Sequence, residues 1–192
     1  MVADVLDALA EIDGIDEIVM VTSEPRAAAA GEQAGAVLVD DPVEAGQSVA
    51  AARGVAAALR RSAGRALLVP GDCPALDPGE VGALLARPPG HAPGGHVTIV
   101  PDRHGRGTNA LLLAPVDVLE PAFGPGSLAR HAAQASAAGA RVRIAACPSL
   151  ELDVDTPGDL AALDAALGAR PGVAPRTRAV LSRLAPLAPI AS

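Results

Sequence analysis

Apolar residues recur along this chain at two spacings, and each change of spacing marks a new element. Val2, Val5, Leu6, Leu9 and Ile12 fall on one face of an amphipathic helix at the start of the chain. Residues 17–22 are an apolar run of strand length, residues 36–40 a second, and 25–33 between them read as a short helix. A loop at 41–46 leads to an Ala-rich helix over 48–61. The third strand, 65–70, runs straight into Gly71-Asp72-Cys73-Pro74. A helix over 78–87 follows, with Pro78 in its first turn, where the missing N–H costs nothing. After a Pro/Gly loop at 87–95, residues 96–101 and 110–113 read as strands flanking a polar, Gly-rich turn. Then come a helix at 126–138, a strand at 141–146 and a helix at 157–167. A last short helix beyond Pro171 carries Arg176, Arg178 and Arg183, and Ala-Pro repeats predict a disordered tail at 185–192.

Strands alternating with helices predict an α/β fold, doubly wound on a mostly parallel sheet. Neither an internal repeat nor a linker interrupts the pattern, so residues 1–184 are expected to form a single domain. On such sheets ligands sit at the carboxyl ends of the strands.

Composition narrows the picture. With 192 residues, half of them hydrophobic and 1% aromatic, the core must be built from Ala, Val, Leu and Ile. A net charge of −7 argues against non-specific nucleic-acid binding, and all 15 basic residues are Arg. No apolar stretch is long enough to span a bilayer and no leader pattern precedes the first helix, so a cytoplasmic protein without a membrane partner is expected. Cys73 and Cys147 form no CxxC pair and read as buried free thiols.

Four segments carry candidate chemistry. In Val69-Pro70-Gly71-Asp72-Cys73-Pro74 a strand ends in a turn presenting Asp72, a hard oxygen ligand suited to Mg²⁺ or Mn²⁺; an Asp that merely closes the turn is the alternative. In Asp153-Val154-Asp155-Thr156-Pro157-Gly158-Asp159, strand-like alternation puts Asp153 and Asp155 on one side, while Thr156 and Asp159 suit a helix cap. Two carboxylate sites on different strand ends are what a metal bridging a triphosphate requires. In the segment from Asp102 to Asn109, glycines are expected to turn backbone N–H groups toward an anion, with Arg103 and Arg106 supplying charge and Thr108 a hydroxyl; a plain polar hairpin is the alternative. In Phe123-Gly124-Pro125-Gly126-Ser127 a Gly/Pro loop meets a helix N-terminus that favours phosphate or carboxylate, against the alternative of a simple Ser127 cap. His91, His96, His104 and His131 have no metal-ligand spacing, and His131 reads as a core or surface residue more readily than a substrate contact. Asp40 and Asp41 read as loop acids, and neither GxSxG nor a P-loop is present.

These four segments, in this order, resemble the 2-phospho-L-lactate and phosphoenolpyruvate guanylyltransferases of coenzyme F-420 biosynthesis. The resemblance spans Met1 to Leu184 and is most specific in Gly105-Arg106-Gly107-Thr108-Asn109-Ala110-Leu111 and in Phe123-Gly124-Pro125-Gly126-Ser127-Leu128-Ala129-Arg130-His131. It implies a nucleotide-diphospho-sugar transferase-like fold of the GT-A and MobA kind. It also implies metals on Asp72 and Asp153, and a three-carbon phosphoacid held by Thr108, Gly124 and Ser127. GTP would be the nucleotide substrate and pyrophosphate the leaving group. Members of the family begin with a strand and a basic loop, VxxKxxxxAKTRL, that wraps the GTP phosphates. This sequence opens inside the first helix and has no Lys, so the resemblance implies a sheet without that central strand, with apolar edges exposed. The segment Val43-Glu44-Ala45-Gly46-Gln47-Ser48 also departs from the family's Leu-Asn pair in the base-binding region. Two alternatives stay open: a related MobA-like enzyme with another substrate, such as molybdopterin, and an inactive truncated protein that keeps the acid pocket. The choice between phosphoenolpyruvate and phospholactate and the oligomeric state, homodimer included, also stay open.

Overall fold

The computed structural model describes residues 1–86 and 92–184; His91, residues 87–91 of the Pro/Gly loop and the tail expected at 185–192 lie outside the described residues. The chain runs α1 (Val2–Ala10), β1 (Val19–Thr22), α2 (Pro25–Gln33), β2 (Val37–Asp40), α3 (Gln47–Arg60), β3 (Ala66–Leu68) and α4 (Pro78–Ala86). It continues with β4 (His96–Pro101), β5 (Thr108–Ala114), α5 (Ser127–Ala137), β6 (Arg141–Ile144), α6 (Pro157–Gly168) and α7 (Pro175–Leu184). Every element expected from the sequence is present. The early strands and β6 are shorter than their apolar runs, and β5 is longer, reaching back to Thr108.

The strands form two sheets. β1 pairs parallel with β2, and the other four are ordered β3-β5-β4-β6. β5 runs antiparallel to both β3 and β4, while β4 and β6 are parallel, so a single reversed strand interrupts the parallel pattern. β1 and β3 share no hydrogen-bonded ladder with each other, yet α3 packs against both. A broad cavity opens between their edges.

Side-chain alternation on the central strands builds the core on two faces. Val97, Ile99, Leu111 and Leu113 point to one face, where they pack with Val55 of α3 and Ala135 of α5. Val100 and Ala110 point to the other and meet Val5 of α1, Val81 and Leu84 of α4, and Leu150. A smaller cluster joins α6 and α7 through Leu163, Leu167 and Leu181. Cys73 and Cys147 are buried free thiols in the α1/α4 layer. Burial pushes both thiols up, Cys147 to about 11, which leaves them protonated and unreactive at neutral pH.

The C-terminal helix is locked by charge. Asp4, buried in α1, accepts from the Thr177 N–H at 2.8 Å, the Thr177 hydroxyl at 2.6 Å and the Arg176 N–H at 3.2 Å, so a carboxylate from one helix caps the N-terminus of another. Arg176 also pairs with Asp7, and Arg178 donates to the carbonyls of Leu167, Arg170 and Val173. Two of the three arginines noted in this helix are therefore spent on packing it. Among the described residues no helix is long and apolar enough to cross a membrane.

Candidate active site

The six residues expected to hold the metal or the phosphoacid, Asp72, Thr108, Gly124, Ser127, Asp153 and Asp155, line one cavity of about 1740 Å³. Its polar lining falls into a donor-rich part around Thr108 and Ser127 and an acidic part around Asp72, Asp153 and Asp155.

The donor-rich part is built where β5 begins and α5 begins. Pro101 pairs with Thr108 and Val100 with Ala110, which leaves Asn109 as the extra residue of a β-bulge. A bulge re-aims side chains, and here both Thr108 and Asn109 reach the cavity. Asn109 is buried and its Nδ2 has no hydrogen-bond partner. In the sequence Asn109 stands at the end of the expected turn, just before the strand at 110–113, and nothing there marks it as a site residue. Gly126, with φ 73°, is the N-cap of α5. Ser127 is thus the first helical residue, and the alternative of a simple Ser127 cap does not hold. Its side chain is fully buried, and its Oγ has no partner. A buried hydroxyl that nothing in the fold satisfies is a candidate contact for a ligand atom or a bound water.

Arg130 shapes the loop ahead of α5. Its guanidinium donates to the carbonyls of Ala122, Phe123, Gly124 and Pro125, at 2.9, 3.1, 3.5 and 2.5 Å. Gathering these carbonyls around one cation holds the loop in a single shape. Ser48 of α3 ties the loop down from the other side, accepting from the Phe123 N–H at 2.9 Å.

The loop between β4 and β5 departs from expectation. Two of its amides turn to the loop's own carboxylate and not to the cavity: Asp102 Oδ1 accepts from the N–H groups of His104 at 3.1 Å and Arg106 at 2.9 Å. Burial works to raise the Asp102 carboxyl, but the amides of Arg106, Gly107 and His104 outweigh it and hold the group below the usual range. Arg103 is likewise diverted, since it pairs at 2.5 Å with Asp159 of α6. Arg106 remains at the cavity and forms no ion pair among the described residues. Its carbonyl accepts from the Leu128 N–H at 3.3 Å, which joins this loop to the head of α5.

In the acidic part, the turn after β3 delivers Asp72, and the segment before α6 delivers Asp153 and Asp155. This segment is not a strand, so alternation is not the reason that both acids reach the cavity. The helix behind them is held by the capping box foreseen in the sequence: Thr156 accepts from the Asp159 N–H at 3.3 Å, and the Asp159 carboxylate accepts from the Thr156 N–H at 2.7 Å. Asp72 Oδ1 is buried without a partner. Burial raises the Asp72 carboxyl, its own backbone amide opposes this, and the nearby charges of Asp153 and Asp155 raise it further. Among the described residues no three carboxylate, imidazole or thiol groups form a ready-made cation cage. Mg²⁺ rarely needs one, taking one or two carboxylates and filling its shell with phosphate oxygens and water. An orphaned carboxylate oxygen among mutually repelling acids fits such an ion. Asp41, read as a loop acid, does lie in the loop after β2, where it is buried and paired with Arg53 at 3.1 Å.

An α/β sheet whose edge cavity is lined by both carboxylates and unpaired polar side chains is the arrangement of a nucleotidyltransferase. A family profile for the MobA-like NTP transferase domain matches residues 1–170. CMP:2-keto-3-deoxy-manno-octonic acid synthetase, solved with CTP, shares the fold at a TM-score of 0.56 and 16% identity, with 87% of each chain covered. The phosphoenolpyruvate guanylyltransferase of Conexibacter woesei is 48% identical over 96% of this chain and 82% of its own length. That of Thermomonospora curvata is 40% identical over 97% of this chain and 77% of its own. That of Sphaerobacter thermophilus is 38% identical over 81% and 73%. The chain belongs to the phosphoenolpyruvate guanylyltransferase family, within the MobA-like nucleotidyltransferases.

Proposed function

We propose that this protein transfers the guanylyl group of GTP to phosphoenolpyruvate, or to 2-phospho-L-lactate, releasing pyrophosphate in a cytoplasmic step of coenzyme F-420 biosynthesis. The observation that carries the reading is a set of unsatisfied groups in the lining of one cavity. Ser127 Oγ and Asn109 Nδ2 await acceptor atoms, and Asp72 Oδ1 awaits a cation. A small acid bearing both phosphate and carboxylate suits the donor-rich part, where the α5 N-terminus and Arg106 add positive potential.

No protein nucleophile or strong base is required. A phosphate oxygen of the acid, already anionic, forms a bond to the α-phosphorus of GTP. The bond from that phosphorus to the bridging oxygen breaks, and its electron pair leaves with pyrophosphate. The protein's task is to align the two substrates and to hold their charges close together. Thr108, Asn109 and Ser127 would fix the phosphoacid, and the rigid loop at Gly124 would bring it against the nucleotide. Asp72, Asp153 and Asp155 would hold Mg²⁺ or Mn²⁺, which when bound supplies charge neutralisation.

The test is pyrophosphate release by the purified chain with GTP, Mg²⁺ and each phosphoacid, against mixtures lacking one component. Release that requires all three is expected. Release independent of the phosphoacid, or turnover only with a different acceptor such as molybdopterin, would refute the assignment.

A further inference from the structure

His131, on α5, lies just behind the donor-rich part of the cavity without lining it. We propose that His131 is a positioning residue: it holds one neutral tautomer that commits the Thr108 hydroxyl to donate its proton into the cavity. The inference rests on the reading that this part of the cavity takes an anionic group.

The argument is a count of protons. The backbone N–H of Ala122 points at His131 Nε2 across 2.8 Å. An amide N–H can only donate, so Nε2 must accept and carries no hydrogen. A neutral imidazole has one N–H, which therefore sits on Nδ1. Thr108 Oγ1 lies 3.0 Å from Nδ1 and must accept from it. The Thr108 proton then has no use within the protein and is free to turn toward the cavity. The opposite tautomer would leave two hydrogens facing each other at Ala122 and spend the Thr108 proton on the ring, presenting only lone pairs to an anion.

The surroundings keep the ring in this state. His131 is fully buried, and Phe123 packs edge-on against it at 5.3 Å and 72° between planes. Burial, and then the nearby Arg130 charge, lower its pKa to about 4, so the imidazolium that would break the Ala122 bond does not form near neutrality. A fixed tautomer thus orients a hydroxyl that would otherwise rotate freely.

Nitrogen-15 NMR of the full chain, with and without phosphoenolpyruvate, reads the tautomer directly. We expect a protonated Nδ1 and a bare Nε2, unchanged between about pH 6 and 8. A hydrogen on Nε2, or titration within that range, would overturn the proposal whatever the substrate. Two substitutions then separate positioning from packing. His131→Asn keeps a donor near the Nδ1 position, whereas His131→Gln keeps an acceptor for Ala122 but no donor for Thr108. We expect KM for phosphoenolpyruvate to stay within about threefold in the first and to rise about tenfold or more in the second, with KM for GTP unchanged in both. Rescue by Gln equal to or better than rescue by Asn would overturn the donor role. Absence of phosphoenolpyruvate turnover in the wild type would instead refute the functional reading, leaving the NMR result to decide the tautomer.

Discussion

Ser127→Ala is expected to change stability and substrate binding in opposite directions. In the free protein the Ser127 hydroxyl is fully buried and has no partner. Leaving such a group unsatisfied costs about 1–3 kcal/mol, and Ala at the start of a helix carries no offsetting penalty. The ligand-free variant should therefore be more stable by about 1 kcal/mol, which in a domain of this size raises Tm by about 2–4 °C. With substrate present the balance reverses. A hydrogen bond to a charged oxygen contributes about 1.5–3 kcal/mol, so KM for the phosphoacid should rise by about tenfold to a hundredfold. Thermal melts without ligand and initial rates against phosphoenolpyruvate measure the two effects on the same preparation. If Ser127 served only the helix, the variant would melt lower and bind substrate unchanged; that pair of results would refute the reasoning.

Asp72→Asn removes a carboxylate whose pKa burial and its acidic neighbours raise. Its ionised form is disfavoured by folding once pH exceeds the raised value, so the variant should melt higher than wild type at neutral pH without divalent cation, and Mg²⁺ should no longer raise its Tm. Asp153→Asn should leave the melting curve nearly unchanged while lowering metal-dependent turnover by about a hundredfold or more, read by pyrophosphate release. Gly107→Ala places a Cβ 2.6 Å from Asp102 Oδ2, which should cost about 1–3 kcal/mol in a denaturant melt and loosen the loop that presents Thr108. His131, neutral in the fold with a pKa near 4, contributes stability that is fully present above its unfolded pKa of about 6.5 and is lost as pH falls toward about 4. The loss should approach about 3 kcal/mol across that window in acid melts of wild type and be absent in His131→Asn.

Local patterns in the sequence were enough for the elements and for the neighbourhood of the site. The apolar runs of 17–22 and 96–101, the capping pair Thr156 and Asp159, and the acids after strand ends all act through residues close in the chain, so each could be recognised where it stands. The rest depended on partners far apart in sequence. Only the fold shows that Arg103 is drawn away to Asp159 and Arg178 to helix-end carbonyls, because the chain has to bring those groups together first. The bulge that turns Asn109 beside Thr108 comes from register between β4 and β5, which strict alternation does not predict. His131 is one more histidine in the sequence, and it acquires a defined tautomer only when α5 sets it between Ala122 and Thr108. Local propensity and residue type determined which groups this protein has to work with. Which of them are left unpaired to meet a ligand is decided by long-range packing, because a polar group is available for binding only when nothing else in the fold has satisfied it.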